Sequence, residues 1–269
     1  MTQNTATRAS STDSQTPTDP AFSAVVSADT LGTTLDALSV LVDECVVRTE
    51  DDGIAVDAMD PATVGMVSLS LDADAFEAYD AADTDLRLGI ALDRLRDVVG
   101  IADSGQAVRL AFDAETRMLH VRVGELAYTL ALVDPDAIRS PPDRVDLADQ
   151  YTASATLPGA GFARAVDAAE MVADYLALGV EDDALYVRAE GDTDSIEVEF
   201  PSEDCAAFDA GPAHSLFSLD YLASVNRAVP TDRPVRLRFG EEAPVEAAFD
   251  IADGDGTVTF VVSPRMTVN

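Results

Sequence analysis

Two histidines, two cysteines and 50 acidic side chains are the groups in this 269-residue chain from which a reacting centre could be built. A nucleophile pair needs a thiol or hydroxyl beside a base. Cys45 stands in an apolar, strand-like stretch just after a helical one, which favours core packing. His120 and His214 are far apart in sequence, and His120 alternates with apolar residues in Leu119-His120-Val121-Arg122-Val123, a strand position with a structural role. Hard cations seek carboxylate oxygens, and Asp192, Asp194, Asp253 and Asp255 offer them. Both clusters have turn composition, so no metal site is expected. The two cysteines are isolated, with no C-x-x-C pair to suggest zinc and no disulfide framework. Lysine is absent, so a G-x-x-x-x-G-K-[ST] phosphate loop cannot be built. No G-x-G-x-x-G or G-x-S-x-G motif occurs either. Neither a cofactor nor a catalytic residue is expected. A carboxylate pair acting alone keeps one enzyme reading open, a halophilic two-domain enzyme with a carboxylate-based site.

The charge balance says more than any single residue. The formal net charge is −33, yet 47% of the residues are hydrophobic. Disordered chains combine high charge with low hydrophobicity, so this is a folding chain. Self-repulsion destabilises such a protein in dilute buffer. At 1 M salt the Debye length falls to about 3 Å and neighbouring carboxylates scarcely interact. All 17 basic residues are Arg and Asp and Ala are abundant, as expected of a protein made for molar salt. No apolar run approaches membrane-spanning length and the polar N-terminus lacks a secretory signal. The expected location is the cytoplasm, with no membrane partner.

Periodicity gives the elements that must position any site. Residues 1–20, rich in Ser and Thr and closed by Pro20, read as a disordered extension. Leu31, Leu35, Leu38 and Val42 recur at helical spacing behind Asp29 or Thr30 as N-cap. Leu92, Leu95, Val98 and Val99 mark a second helix, Phe162, Val166 and Ala169 a third, and Leu219, Leu222, Val225 and Val229 a fourth. Alternation predicts strands over 67–71, 108–112, 119–123, 196–200, 235–239 and 258–262, with a hairpin turn at Asp253-Gly254-Asp255-Gly256. Leu35-Asp36-Ala37-Leu38 matches Val166-Asp167-Ala168-Ala169, and Glu50-Asp51-Asp52 matches Glu181-Asp182-Asp183, both at an offset of 131. Leu92-Asp93-Arg94-Leu95 matches Leu219-Asp220-Tyr221-Leu222, and Val108 to Phe112 matches Val235 to Phe239, both at 127. Four matches in one order imply one unit used twice. The expected domains are 21–134 and 150–269, joined by an irregular linker over 135–149 that contains Pro135, Pro141 and Pro142.

Four segments carry a family resemblance: Asp57-Ala58-Met59-Asp60-Pro61-Ala62-Thr63-Val64, Tyr128 to Asp136, Ser215 to Leu222, and Val262-Ser263-Pro264-Arg265-Met266. With the duplication and the proline-rich linker, the chain resembles archaeal and eukaryotic sliding clamps of the proliferating cell nuclear antigen (PCNA) type, above all haloarchaeal ones, over Phe22 to Met266. The resemblance implies an α+β fold of two similar clamp domains, each with two helices on antiparallel sheets. It implies a homotrimeric ring of six domains with the helices lining a hole for duplex DNA. Subunits would join by strand pairing between Leu126 to Val133 and Ile196 to Phe200, with Tyr128, Leu130, Ile196 and Val198 as interface residues. The linker would be the interdomain connecting loop. Beside it, Met59, Val64, Ile138, Pro244, Val261, Ser263, Pro264 and Arg265 would receive apolar peptides of DNA polymerase, clamp loader, nuclease and ligase clients; Met suits such a role because it repacks around different ligands. The implied activity is that of a processivity factor without turnover.

One departure concerns DNA. Clamps of this type carry many basic residues on the helices of the hole, but no base lies between Thr30 and Val42. Arg94, Arg96, Arg164 and Arg227 are the available DNA-facing cations, with Asp36, Asp97 and Asp167 near them. Affinity from counterion release falls steeply with salt, and a closed ring is held by topology rather than by tight binding.

Overall fold

The computed structural model describes residues 17, 19–81, 86–139, 141 and 147–265. The expected N-terminal extension up to residue 16, the linker residues 142–146 and Met266 lie outside the described residues. The first half runs β1 (Phe22–Ser27), α1 (Ala28–Ser39), β2 (Glu44–Glu50), β3 (Gly53–Met59), β4 (Gly65–Asp72), β5 (Ala78–Ala81), β6 (Arg87–Ala91), α2 (Leu92–Val99), β7 (Ala107–Asp113), β8 (Met118–Val123) and β9 (Leu126–Ala131). The second half repeats that order: β10 (Ala153–Pro158), α3 (Gly159–Glu170), β11 (Tyr175–Glu181), β12 (Ala184–Glu190), β13 (Ser195–Pro201), β14 (Ala207–Asp209), β15 (His214–Ser218), α4 (Leu219–Ala228), β16 (Pro234–Phe239), β17 (Val245–Ile251) and β18 (Gly256–Val262). The duplication read from four short matches is therefore a duplication of fold. The step from an offset of 131 to one of 127 is taken in two halves, one in the turn between β3 and β4, where Met59↔Met66 corresponds to Glu190↔Ser195, and one between β5 and β6; at both the second copy is shorter.

Each half builds one five-stranded and one four-stranded antiparallel sheet, and the halves share an edge. Strand β18 pairs with β4 from Gly256↔Leu71 to Val262↔Gly65. That pairing fuses two sheets into one of nine strands, ordered β14-β10-β16-β17-β18-β4-β3-β2-β6. The remaining sheets are β5-β1-β7-β8-β9 and β13-β12-β11-β15. Alternate residues of the strands face inward, as period-2 patterning requires; in β1 these are Phe22, Ala24 and Val26. The core is aliphatic with a few Phe, including Phe217, Phe239, Phe249 and Phe260.

The helices bury one face each. Leu31, Leu35 and Leu38 of α1 and Leu92, Leu95, Val98 and Val99 of α2 enter the core, as their spacing predicts. Helix α1 packs on α2, α3 packs on α4, and α1 also meets α4, so the four form one layer. The start of α1 differs from the expectation. Ser27 is the N-cap, and its hydroxyl oxygen accepts from the Thr30 N–H at 3.0 Å. Asp29 sits in the first turn and accepts instead from Ser104 Oγ and Gly105 N–H, both at 2.9 Å. Ser, Asp and Thr all suit a cap; the extended strand β1 decides which one is used. Val42 lies beyond the helix end, and Val229 is the C-cap of α4. At the turn between β17 and β18, Asp253 (φ 57°) and Gly254 (φ 109°) supply the left-handed backbone expected there.

Candidate functional site

Among the described residues, Cys45 and the two histidines form no nucleophile–base pair. Cys45 is fully buried, and burial pushes its thiol up to about 12, far from thiolate chemistry. His120 lies in β8 with Nδ1 at 3.4 Å from Thr129 Oγ1, and His214 Nδ1 lies 2.7 Å from the Tyr186 hydroxyl. Among the described residues no three His, Cys, Asp or Glu side chains come together as a metal set. Several acids are engaged by Arg: Asp250 by Arg236, Glu246 by Arg238 and Asp253 by Arg233, at 2.6–2.7 Å. Three surfaces remain as candidates for binding.

The first is the solvent face of the helix layer. Arg94, Arg96, Arg164 and Arg227 are all exposed there. Arg96 is less available than the sequence suggested, because both Nε and Nη2 bond Asp36 Oδ1, at 2.8 and 2.6 Å. Arg227 donates to Ser224 Oγ at 2.8 Å, and Asp167 accepts from Asn226 Nδ2 at 3.0 Å. Helix α1 carries two acids and no base, α2 two of each, α3 two acids and one base, and α4 one of each, a net charge of −3 on the layer.

The second is an apolar seam across the junction of the two halves. Cross-strand pairing puts Met59 opposite Met66 and Met66 opposite Val261, one row over β3, β4 and β18. All three are half-buried. Val64 lies at the end of this row, and its carbonyl accepts the Ser263 N–H at 2.8 Å. Ser263 follows β18, and Pro244 precedes Val245, the residue paired with Val262. Arg265 leaves the seam: its N–H bonds the Leu216 carbonyl at 2.7 Å, and its guanidinium lies 4.0 Å over the Tyr175 ring. The linker reaches the same place, Arg139 Nη1 donating to the Pro61 carbonyl at 3.1 Å. Ile138 is only 7% exposed and packs beside Gly89, so it anchors the linker and is not an open contact. Met66 is the member that sequence reasoning missed. Its signal was its place on a strand adjoining that of Met59, invisible until the register is known.

The third is a pair of open sheet edges. Strand β9 ends the five-stranded sheet and β13 ends the four-stranded one. Tyr128, at 36% exposure, and the half-buried Ile196 and Val198 sit on these edges. Leu130 differs from expectation, being 1% exposed in the chain's own core, so only its backbone is on the edge. Val133 also leaves the edge and bonds back to the Gly89 carbonyl at 2.9 Å.

Known proteins share this geometry. Residues 23–125 match the family model for the proliferating cell nuclear antigen N-terminal domain. The DNA polymerase sliding clamp of Natronomonas pharaonis is 53% identical over 247 residues, 91% of this chain and 98% of its own length. That of Halobacterium salinarum is 51% identical over 250 residues, 92% of this chain and 100% of its own. In a solved complex, A. fulgidus PCNA bound to the C-terminal region of FEN-1 matches at a TM-score of 0.86 with 27% identity, over 92% of this chain and 100% of that one. PCNA of Thermococcus kodakaraensis matches at 0.81 with 25% identity, over 91% and 100%. A repeated two-helix unit, a shared nine-stranded sheet and relatives this similar along nearly their whole length place the chain in the archaeal DNA polymerase sliding clamp family.

Proposed function

We propose that three copies of this chain close head to tail into a ring around duplex DNA and carry DNA polymerase, clamp loader, nuclease and ligase clients, in the cytoplasm and without turning over a substrate. The observation that carries this reading is the repeat itself. Strand β18 pairs with β4 inside the chain, and in the duplicated halves β9 is the counterpart of β18 and β13 that of β4. What one chain does at its own junction, its two open edges offer to neighbours. Such a contact is heterologous and closes when rotation brings the last copy to the first. It also covers edges that otherwise invite uncontrolled pairing.

The internal register, transferred through the repeat, supports a specific contact. Phe260↔Val67 becomes Tyr128 opposite Ile196 of the neighbouring copy, and Val258↔Leu69 becomes Leu126 opposite Val198. Phe260 and Val67 are fully buried at the internal junction. Parity therefore agrees, since Tyr128, Ile196 and Val198 would be covered in the same way. We place the clamp domains at 21–134 and 150–269, with 135–149 as the connecting loop. The helix layer then faces the hole, where Arg94, Arg164 and Arg227 meet phosphates and Arg96 does so only by releasing Asp36. Met59, Val64, Pro244, Val261, Ser263 and Pro264, joined by Met66, receive client peptides, which is supported by the FEN-1 segment bound to the A. fulgidus relative.

Light scattering at molar KCl tests the ring directly: the expected mass is that of three chains. The same preparation is expected to stimulate a family B polymerase on primed circular template. A monomer in brine overturns the proposal.

A further inference from the structure

Asp60 is the one charged side chain that is buried among the described residues, at 4% exposure. Oδ1 accepts from the backbone N–H groups of Val64 at 2.7 Å and Gly65 at 2.6 Å. Oδ2 accepts from the Ala62 N–H and from the Tyr221 hydroxyl, both at 2.8 Å. Three of these donors wind the loop between β3 and β4 around the carboxylate. The fourth comes from 161 residues away, in the first turn of α4. The loop needs such fixing, because Thr63 is held at φ 63°, where a β-branched residue is strained. The Tyr221 ring also lies against Gly65, where a Cβ would come within 3.3 Å of Cδ1.

This loop is the one that presents the apolar seam. It follows Met59, leads into Met66 and contains Val64, whose carbonyl holds the Ser263 N–H. Any other path of residues 60–65 would move Val64 and the Ser263 contact together. A buried carboxylate bound by four donors favours one path, since another would leave the carboxylate and the buried Gly65 N–H unpaired at the cost of their desolvation.

We propose that Tyr221, acting through Asp60, is a positioning residue for client binding: its hydroxyl holds the loop in the arrangement that makes Met59, Met66 and Val64 continuous with the C-terminal segment. The proposal rests on the reading of the seam as the client site. The bond is charge-assisted and partly buried, the stronger kind. Helix α4 also carries Arg227 on the layer that faces the hole, so one helix touches both the DNA side and the client side.

The test is Tyr221→Phe in the full chain at molar KCl, which keeps the ring against Gly65 and removes only the hydroxyl. The probe is a synthetic peptide of the C-terminal region of FEN-1, used intact and with one apolar anchor changed to Ala, with affinity read by calorimetry. Intact peptide is expected to bind the variant about three- to tenfold more weakly, the usual weight of one hydrogen bond. The Ala peptide is expected to show a smaller loss, with trimer mass unchanged. Equal affinity of variant and parent for the intact peptide overturns the proposal. So does an equal loss for both peptides, which marks a general structural effect. If the parent chain itself binds no peptide, the client reading fails, and the proposal with it. Should Tyr221→Phe fold poorly, Asp60→Asn is read with the same two peptides. It keeps the side-chain shape but turns one acceptor into a donor, and the same pattern is expected with a larger loss.

Discussion

At the scale of the residue, the decisive side chains are ones that bind and hold. Asp60 shows why charge alone does not predict a role. Burial pushes its carboxyl up, but the donors from Gly65, Tyr221, Ala62 and Val64 outweigh that and hold it below the usual carboxylate range. A carboxyl lowered on folding stabilises fully above its unfolded value of about 3.9, and the contribution is lost as pH falls through the folded value. Melting of the parent chain below about pH 4 is therefore expected to fall more steeply than that of Asp60→Asn, which lacks this component; superimposable profiles would refute the assignment. Truncation by Asp60→Ala leaves the buried Gly65 N–H and three partly buried donors unpaired and is expected to cost about 2–4 kcal/mol in denaturant unfolding. Much of the seam was legible: Met59, Val64, Pro244, Val261 and Ser263 come together from distant positions. Met66 and the buried state of Ile138 and Leu130 were not, because they depend on register and on which way a loop folds back.

At the scale of the element, apolar spacing identified all four described helices, and alternation identified six strands that the structure contains. Short strands such as β5 and β14 escaped, since four or three residues carry too little period to be seen. The start of α1 was displaced for a related reason, because Ser27, Asp29 and Thr30 are all competent caps and the choice is tertiary. Ser27→Ala is expected to cost about 1 kcal/mol in unfolding free energy, while Asp29→Ala costs less because only exposed bonds from Ser104 and Gly105 are lost. The open edges give a sharper prediction. The transferred register places Ala127 opposite Glu197 of the neighbouring copy, the counterpart of Thr259↔Ser68. Ala127→Cys combined with Glu197→Cys is therefore expected to form covalent trimers under mild oxidation. Moving the second cysteine to Val198 points it to the opposite face and is expected to abolish cross-linking.

At the scale of the whole molecule, two opposing features set behaviour. A net charge of −33 on each chain repels its neighbours, while buried strand pairing draws the edges together. Diluting from molar salt to about 0.1 M lengthens the Debye screening to about 10 Å, and the ring is expected to weaken or open, seen as a falling mass in light scattering. A mass unchanged on dilution would refute repulsion-limited assembly. The helix layer, at −3 per chain, makes the hole a poor magnet for phosphates. Short linear DNA, from which a ring can slip, is expected to be retained barely at all at molar KCl, and tight filter retention would contradict this. A circle made by rotation alone has a front and a back, because no two-fold axis turns one into the other. Every copy of the Val64–Ser263 seam must then open toward the same rim. On the proposed reading of the seam as the client site, clients held there would all travel on one side of the moving ring, and a ring threaded the other way round would point them away from the primer end.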